Sequence, residues 1–195
     1  MRQSIAKIVI ALVVIVAATL PEITRAQTAL ETPEPQTRNE ETAQVSQPGS
    51  YAELRTYLFI HDTSINMRKR KRIPIMQTSI RAVLDNIPSV AYAGLRAFGH
   101  RFPPDGPDAC ADTDLIVPLG ALAINREDFE NQLNLLSDPI IGGGSSVGLA
   151  LQQGIADLQT FGGRKEIYLY LVDLLKCGEY NPIDVIQNAC QTNDL

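Results

Sequence analysis

Asp62, Ser64 and Asn66 stand at i, i+2 and i+4 just beyond a short apolar run at residues 57–60. All three side chains carry oxygen. On a loop curling over a strand end they can converge on one point. That suits a hard cation such as Mg²⁺, which takes oxygen ligands and keeps several of its waters. The same residue types are common in any polar turn, so the trio needs support from the rest of the chain. An apolar run without polar alternation reads as a strand buried on both faces, as in the centre of a parallel sheet. The carboxyl end of such a strand is where open α/β sheets form their binding crevice.

A second candidate is nucleophilic. Gly144-Ser-Ser-Val-Gly148 matches G-x-S-x-G, with Ser146 in the nucleophile position. That mechanism needs a strand before the serine, and an acid and a histidine after it. Residues 135–144 do not read as a strand, and both histidines, His61 and His100, precede Ser146. The Gly-rich loop lacks the lysine of a phosphate-binding loop. Ser64 stands where a second carboxylate would be needed for Asp62 to act as a phosphatase nucleophile. A hydrolase is therefore the least supported reading, and no enzymatic activity is expected.

These residues sit in a chain of 195 residues with formal charge −5. Net acidity argues against nucleic acid as the main partner. Arg2 and Lys7 precede an apolar segment at residues 8–20, and Thr24-Arg-Ala26 closes it. This reads as a secretory signal peptide, residues 1–26, too short for a comfortable membrane span. Membrane contact is expected only if that segment stays uncleaved as an anchor. Residues 27–50 are rich in Glu, Gln, Thr and Pro and read as a disordered acidic linker. Residues 51–195 form one domain of ordinary size. The expected address is periplasmic or secreted, where disulfides form. Three cysteines, Cys110, Cys177 and Cys190, leave at least one thiol unpaired within the chain. Cys110 with Cys177 and Cys177 with Cys190 both remain open as pairings.

Within the domain, strands at 57–60, 91–98, 115–119 and 166–172 alternate with helices at 74–86, from about 125, at 147–161 and at 181–188. Asn125 reads as a helix N-cap before Arg-Glu-Asp. Five basic residues, Arg68 to Arg72, follow the polar loop and read as a solvated face, with docking of an acidic partner, of anionic lipid or of the chain's own acidic linker as the alternatives. Pro118 cannot donate to a ladder, which puts its strand at an edge. The alternation predicts an α/β fold with a mostly parallel central sheet flanked by helices. With these four strands numbered in chain order, the expected spatial order is 3-2-1-4.

This pattern resembles the von Willebrand factor A (VWA) domain, in particular bacterial exported members. Phe98-Gly-His-Arg101 and Cys110-Ala-Asp112 carry the likeness, beside the polar loop. The resemblance implies a Rossmann-like sheet with one divalent cation held on its carboxyl edge, at a metal-ion-dependent adhesion site. Asp62 and Ser64 match the first two ligand positions, and Asn66 stands where the family has a second Ser. Ser145 stands where it has a Thr, and Asp173 matches a later Asp. It also implies a binding module without catalysis, whose protein partner completes the cation's shell with a carboxylate. The alternative within the fold is a decayed module that holds no metal and acts only through protein contacts. The family's sheet has two strands beyond residue 172 that find no counterpart here, so the last strand is expected to be an exposed edge.

Overall fold

The computed structural model describes residues 9–12, 54–137, 143–174 and 177–192. The expected cleavage point after Ala26, the linker at 27–50 and Gly142 lie outside these residues. In chain order the elements are β1 (Val9–Leu12), β2 (Arg55–Asp62), α1 (Ile65–Lys69), α2 (Ile73–Asn86), β3 (Tyr92–Phe98), β4 (Thr113–Ala121), α3 (Leu122–Leu135), α4 (Val147–Leu158), β5 (Arg164–Tyr170) and α5 (Pro182–Thr192). They form an α/β fold around one five-stranded sheet in the order β1-β5-β2-β3-β4.

β2 lies between β5 and β3 and is parallel to both, while β4 runs antiparallel on β3. The expected order of the four domain strands therefore holds, with the apolar run at 57–60 central. Pro118 explains the edge position of β4. It has no N–H to give, and the β3–β4 register shifts on both sides of Leu95, beside it.

Two expectations change. β5 is not an open edge: Val9–Leu12 pairs with it in parallel, from Val9 opposite Glu166 to Leu12 opposite Leu169. These apolar residues fall inside the segment expected to be a leader. A parallel edge with unpaired backbone groups is a template for such a run. Asn125 is not an N-cap. α3 begins at Leu122, and the Asn125 amide donates instead to the Ala93 and Pro118 carbonyls at 3.0 and 2.6 Å. It serves backbone groups where the ladder shifts register, a demand that outweighs the local capping rule.

Side chains alternate across β2. Leu58 and Ile60 pack with Ile167, Leu169, Val147, Leu151 and Leu158 under α4, and Val185 and Ile186 of α5 join them. On the opposite face Phe59 stacks on Tyr168 at 5.4 Å and meets the Phe129 edge of α3 at 5.7 Å. Ile80 and Leu84 of α2 are also fully enclosed. A buried side chain of this size contributes roughly 1.5–3 kcal/mol. This double-sided burial fixes β2 rigidly, so whatever follows Asp62 starts from a fixed point.

Candidate metal centre

The pleat turns Asp62 to the α4 side, in line with Leu58 and Ile60, at the last position of β2. Its carboxylate accepts the Ser64 backbone N–H at 2.8 Å, an Asx turn that curls the chain over the sheet. Thr63 is tied to β3: its N–H and its hydroxyl both donate to the Phe98 carbonyl, at 3.0 and 2.7 Å. Helix α1 then starts at Ile65 with Asn66 in its first turn, where the sequence had suggested only loop. Burial pushes the Asp62 carboxyl up to about 6; bonds from Ser64 and the Val172 N–H oppose this, and the Asp173 charge adds to it. Asp62 and Asp173 are therefore close enough to feel each other, at the carboxyl ends of adjacent parallel strands.

The Gly-rich loop closes the third side. Gly143 donates to the Gly99 carbonyl at 2.7 Å, and the Gly143 carbonyl accepts the Ile65 N–H at 3.0 Å. Gly99 has φ +74°, and a Cβ on it would lie 2.7 Å from the Gly144 carbonyl oxygen and 2.9 Å from Ser64 Cα. Only glycine allows the ends of β2 and β3 and the 143–146 loop to come this close. Ser145 rides on that loop.

The Ser145 hydroxyl is buried without a hydrogen-bond partner. The Ser64 hydroxyl is buried beside the Asp62 carboxyl and helps to hold its pKa down. Buried hydroxyls are normally satisfied, so the unpartnered Ser145 hydroxyl at this edge of the sheet fits a site for an oxygen-seeking cation. The donor set is two carboxylates and neutral oxygens. No trio of His, Cys, Asp or Glu side chains placed to hold a metal occurs among the described residues.

One contact was invisible in the sequence. Arg70, from the basic run, places Nη2 3.3 Å from Asp173 Oδ2, with 55% of the Arg70 side chain and 29% of the Asp173 side chain exposed. The run is solvated as expected, Arg68 to Lys71 being exposed, but its members differ in what they do. Arg68 and Lys69 end α1, the Arg70 N–H returns to the Asn66 carbonyl at 3.1 Å, and Lys71 turns the chain at φ +52°.

The Gly-His-Arg and Cys-x-Asp stretches build a brace beside this centre. The buried Asp112 carboxylate accepts the Arg101 N–H at 2.7 Å, the Phe102 N–H at 3.1 Å and Arg101 Nε at 3.1 Å. His100 Nδ1 lies 3.7 Å from it. Burial lowers the His100 pKa against the pull of Asp112. The Asp112 carbonyl accepts the Ser146 hydroxyl at 2.5 Å and the Gly99 N–H at 3.2 Å. Ser146 is fully enclosed, and its proton is committed to this structural bond. Cys110 bonds to Cys177 with Cα atoms 5.2 Å apart, and Cys190 is the free, exposed thiol. Of the two pairings the sequence allowed, the structure holds the first.

No protein-family model matches the chain, and no characterised protein matches it by sequence. Solved structures do match in shape. The pilus adhesin SpaC from Lactobacillus rhamnosus GG, in an open conformation, is 22% identical over 60% of this chain at a TM-score of 0.45. A D319A mutant of the PilB minor pilin from Streptococcus sanguinis is 18% identical over 68% at 0.49. Proximal thread matrix protein 1 from the mussel byssus is 15% identical over 72% at 0.51. The likeness to the mussel protein is one of fold alone. This chain spans 14% of the SpaC chain, 35% of the PilB chain and 36% of the mussel protein.

Proposed function

We propose that this chain is an exported, non-catalytic protein-binding module of the VWA type. It would hold a divalent cation, Mg²⁺ or a similar ion, on a divergent adhesion site. Asp62, Ser64, Asn66, Ser145 and Asp173 are the residues that would hold it. The observation that carries the reading is the buried, unpartnered Ser145 hydroxyl, on the loop that closes against Ser64, at the edge where the Asp62 carboxyl is raised. A cation would neutralise the carboxylates and give each hydroxyl oxygen an electrophile. Asn66, in the first turn of α1, brings an amide oxygen in place of a hydroxyl. The open position of the ion would accept a carboxylate of a protein partner. The Cys110–Cys177 bridge suits an oxidising address, periplasmic or secreted.

Arg70 favours a second reading, a decayed module without metal. Its guanidinium already supplies a positive charge to Asp173. A Mn²⁺ or Mg²⁺ titration of the oxidised full-length chain by calorimetry separates the two. The first reading expects weak binding that Asp62→Ala abolishes. An absence of heat at millimolar cation replaces it with the second.

A further inference from the structure

The five basic residues beside the centre are not equivalent. Among the ion pairs seen in the described residues, Arg70 alone of the run reaches a candidate ligand, at 3.3 Å from Asp173 Oδ2. The α1 helix and the turn at Lys71 aim it there. We propose that Arg70 is a built-in competitor for the cation: Asp173 is held by Arg70 or by a divalent ion, never by both. This rests on the cation-binding reading above and adds its regulation.

The geometry argues for exclusion. Mg²⁺ sits about 2.0–2.1 Å from a carboxylate oxygen. A guanidinium left at 3.3 Å from that same carboxylate would place two positive centres within a few ångström of each other. Exposure argues that the exchange is reversible. More than half of the Arg70 side chain is in water, and the 3.3 Å contact is loose. Exposed pairs of this kind open at little cost, and the freed guanidinium is rehydrated. The site therefore has two closed states, one with its own cation and one with a borrowed ion. The pair sets the cation concentration at which the site loads.

The test compares wild type, Arg70→Gln and Lys69→Gln, each oxidised and full length, titrated with Mn²⁺ and followed by calorimetry and by the electron-spin signal of free Mn²⁺. Lys69 is the neighbouring exposed charge in the last turn of α1 and controls for the field of the run. Arg70→Gln should bind about tenfold more tightly than wild type, from removal of a contact-range like charge. Lys69→Gln should gain no more than about threefold, and lose that gain at high salt. If Arg70→Gln binds and wild type does not, the competitor role stands and the resting protein is metal-free. If all three bind alike, or if Arg70→Gln gains no more than Lys69→Gln, the competitor role fails while cation binding survives. If none binds, including Arg70→Gln, both the competitor role and the cation site are refuted.

Discussion

Gly99→Ala tests whether three chain segments must meet at the carboxyl edge of the sheet. Gly99 has φ +74°, which costs an L-residue roughly 1–2 kcal/mol. The new methyl would also lie 2.7 Å from the Gly144 oxygen and 2.9 Å from both Ser64 Cα and Ser64 N. These are backbone atoms, so relief requires moving the loop or the end of β2. Overpacking of this kind costs about 1–3 kcal/mol. Lower entropy of the unfolded chain offsets about 0.4–1 kcal/mol. The net expectation is a loss of about 1–5 kcal/mol, read by urea unfolding of the oxidised protein with an unchanged denaturant slope. Gly162→Ala is the control, because nothing lies within 4 Å of its added Cβ and its φ is not positive. It should be neutral, or stabilising by up to about 1 kcal/mol. If the two variants unfold at the same urea concentration, the close approach at Gly99 does not hold the site together.

Two further outcomes follow from buried charge. Without cation, the Asp62 carboxyl, pushed up to about 6 from an ordinary 3.8, contributes stability that is full below pH 3.8 and lost as pH rises through 6. His61, fully enclosed and lowered by burial to about 4 from 6.5, runs the other way: its contribution is present above 6.5 and lost as pH falls through 4. At ~1.4 kcal/mol per unit each is worth roughly 3 kcal/mol, so wild type should be nearly flat between pH 4 and 6. Asp62→Asn should instead climb by about 3 kcal/mol across that window in urea titrations with chelator. A flat Asp62→Asn profile would contradict the burial of His61. Separately, Arg96 is enclosed between β3 and α4 and donates to Asp157 Oδ2 at 2.7 and 3.0 Å. Asp157→Ala should cost about 3–5 kcal/mol, and adding Arg96→Met should recover part of it. A double variant less stable than Asp157→Ala would show that Gln153 and Thr113, which Arg96 also contacts, carry the arginine unaided.

The strand order was readable because its causes are local. Residues 57–60 are apolar without alternation, and Pro118 forbids a central position. Asp62 and Ser64 were readable because an Asx turn is written in consecutive residues. Apart from the short helix α1, where a loop was expected, the misreadings turn on contacts that local sequence does not announce. Asn125 satisfies the capping rule in sequence, but the carbonyls it serves belong to Ala93 and Pro118. Arg96 in an apolar strand gives no sign of Asp157, 61 residues away. Arg70 could not be told from its four basic neighbours until the turn at Lys71 set its direction. Asp112 was part of a recognisable stretch, but its purpose, gathering the N–H groups after β3, exists only in three dimensions.

The Cys110–Cys177 bridge has a mechanical consequence. It joins residues 67 positions apart, and the closed loop contains β4, α3, α4 and β5. At roughly 3.3–3.6 Å per extended residue, about 220–240 Å of contour cannot lengthen under tension while the bridge is intact. A pull between the two ends of the chain would peel the segments outside the loop and then stop. The tension would pass across the sulfurs, with the strand end and loop that flank Asp173 and the Gly-rich turn inside the shielded section.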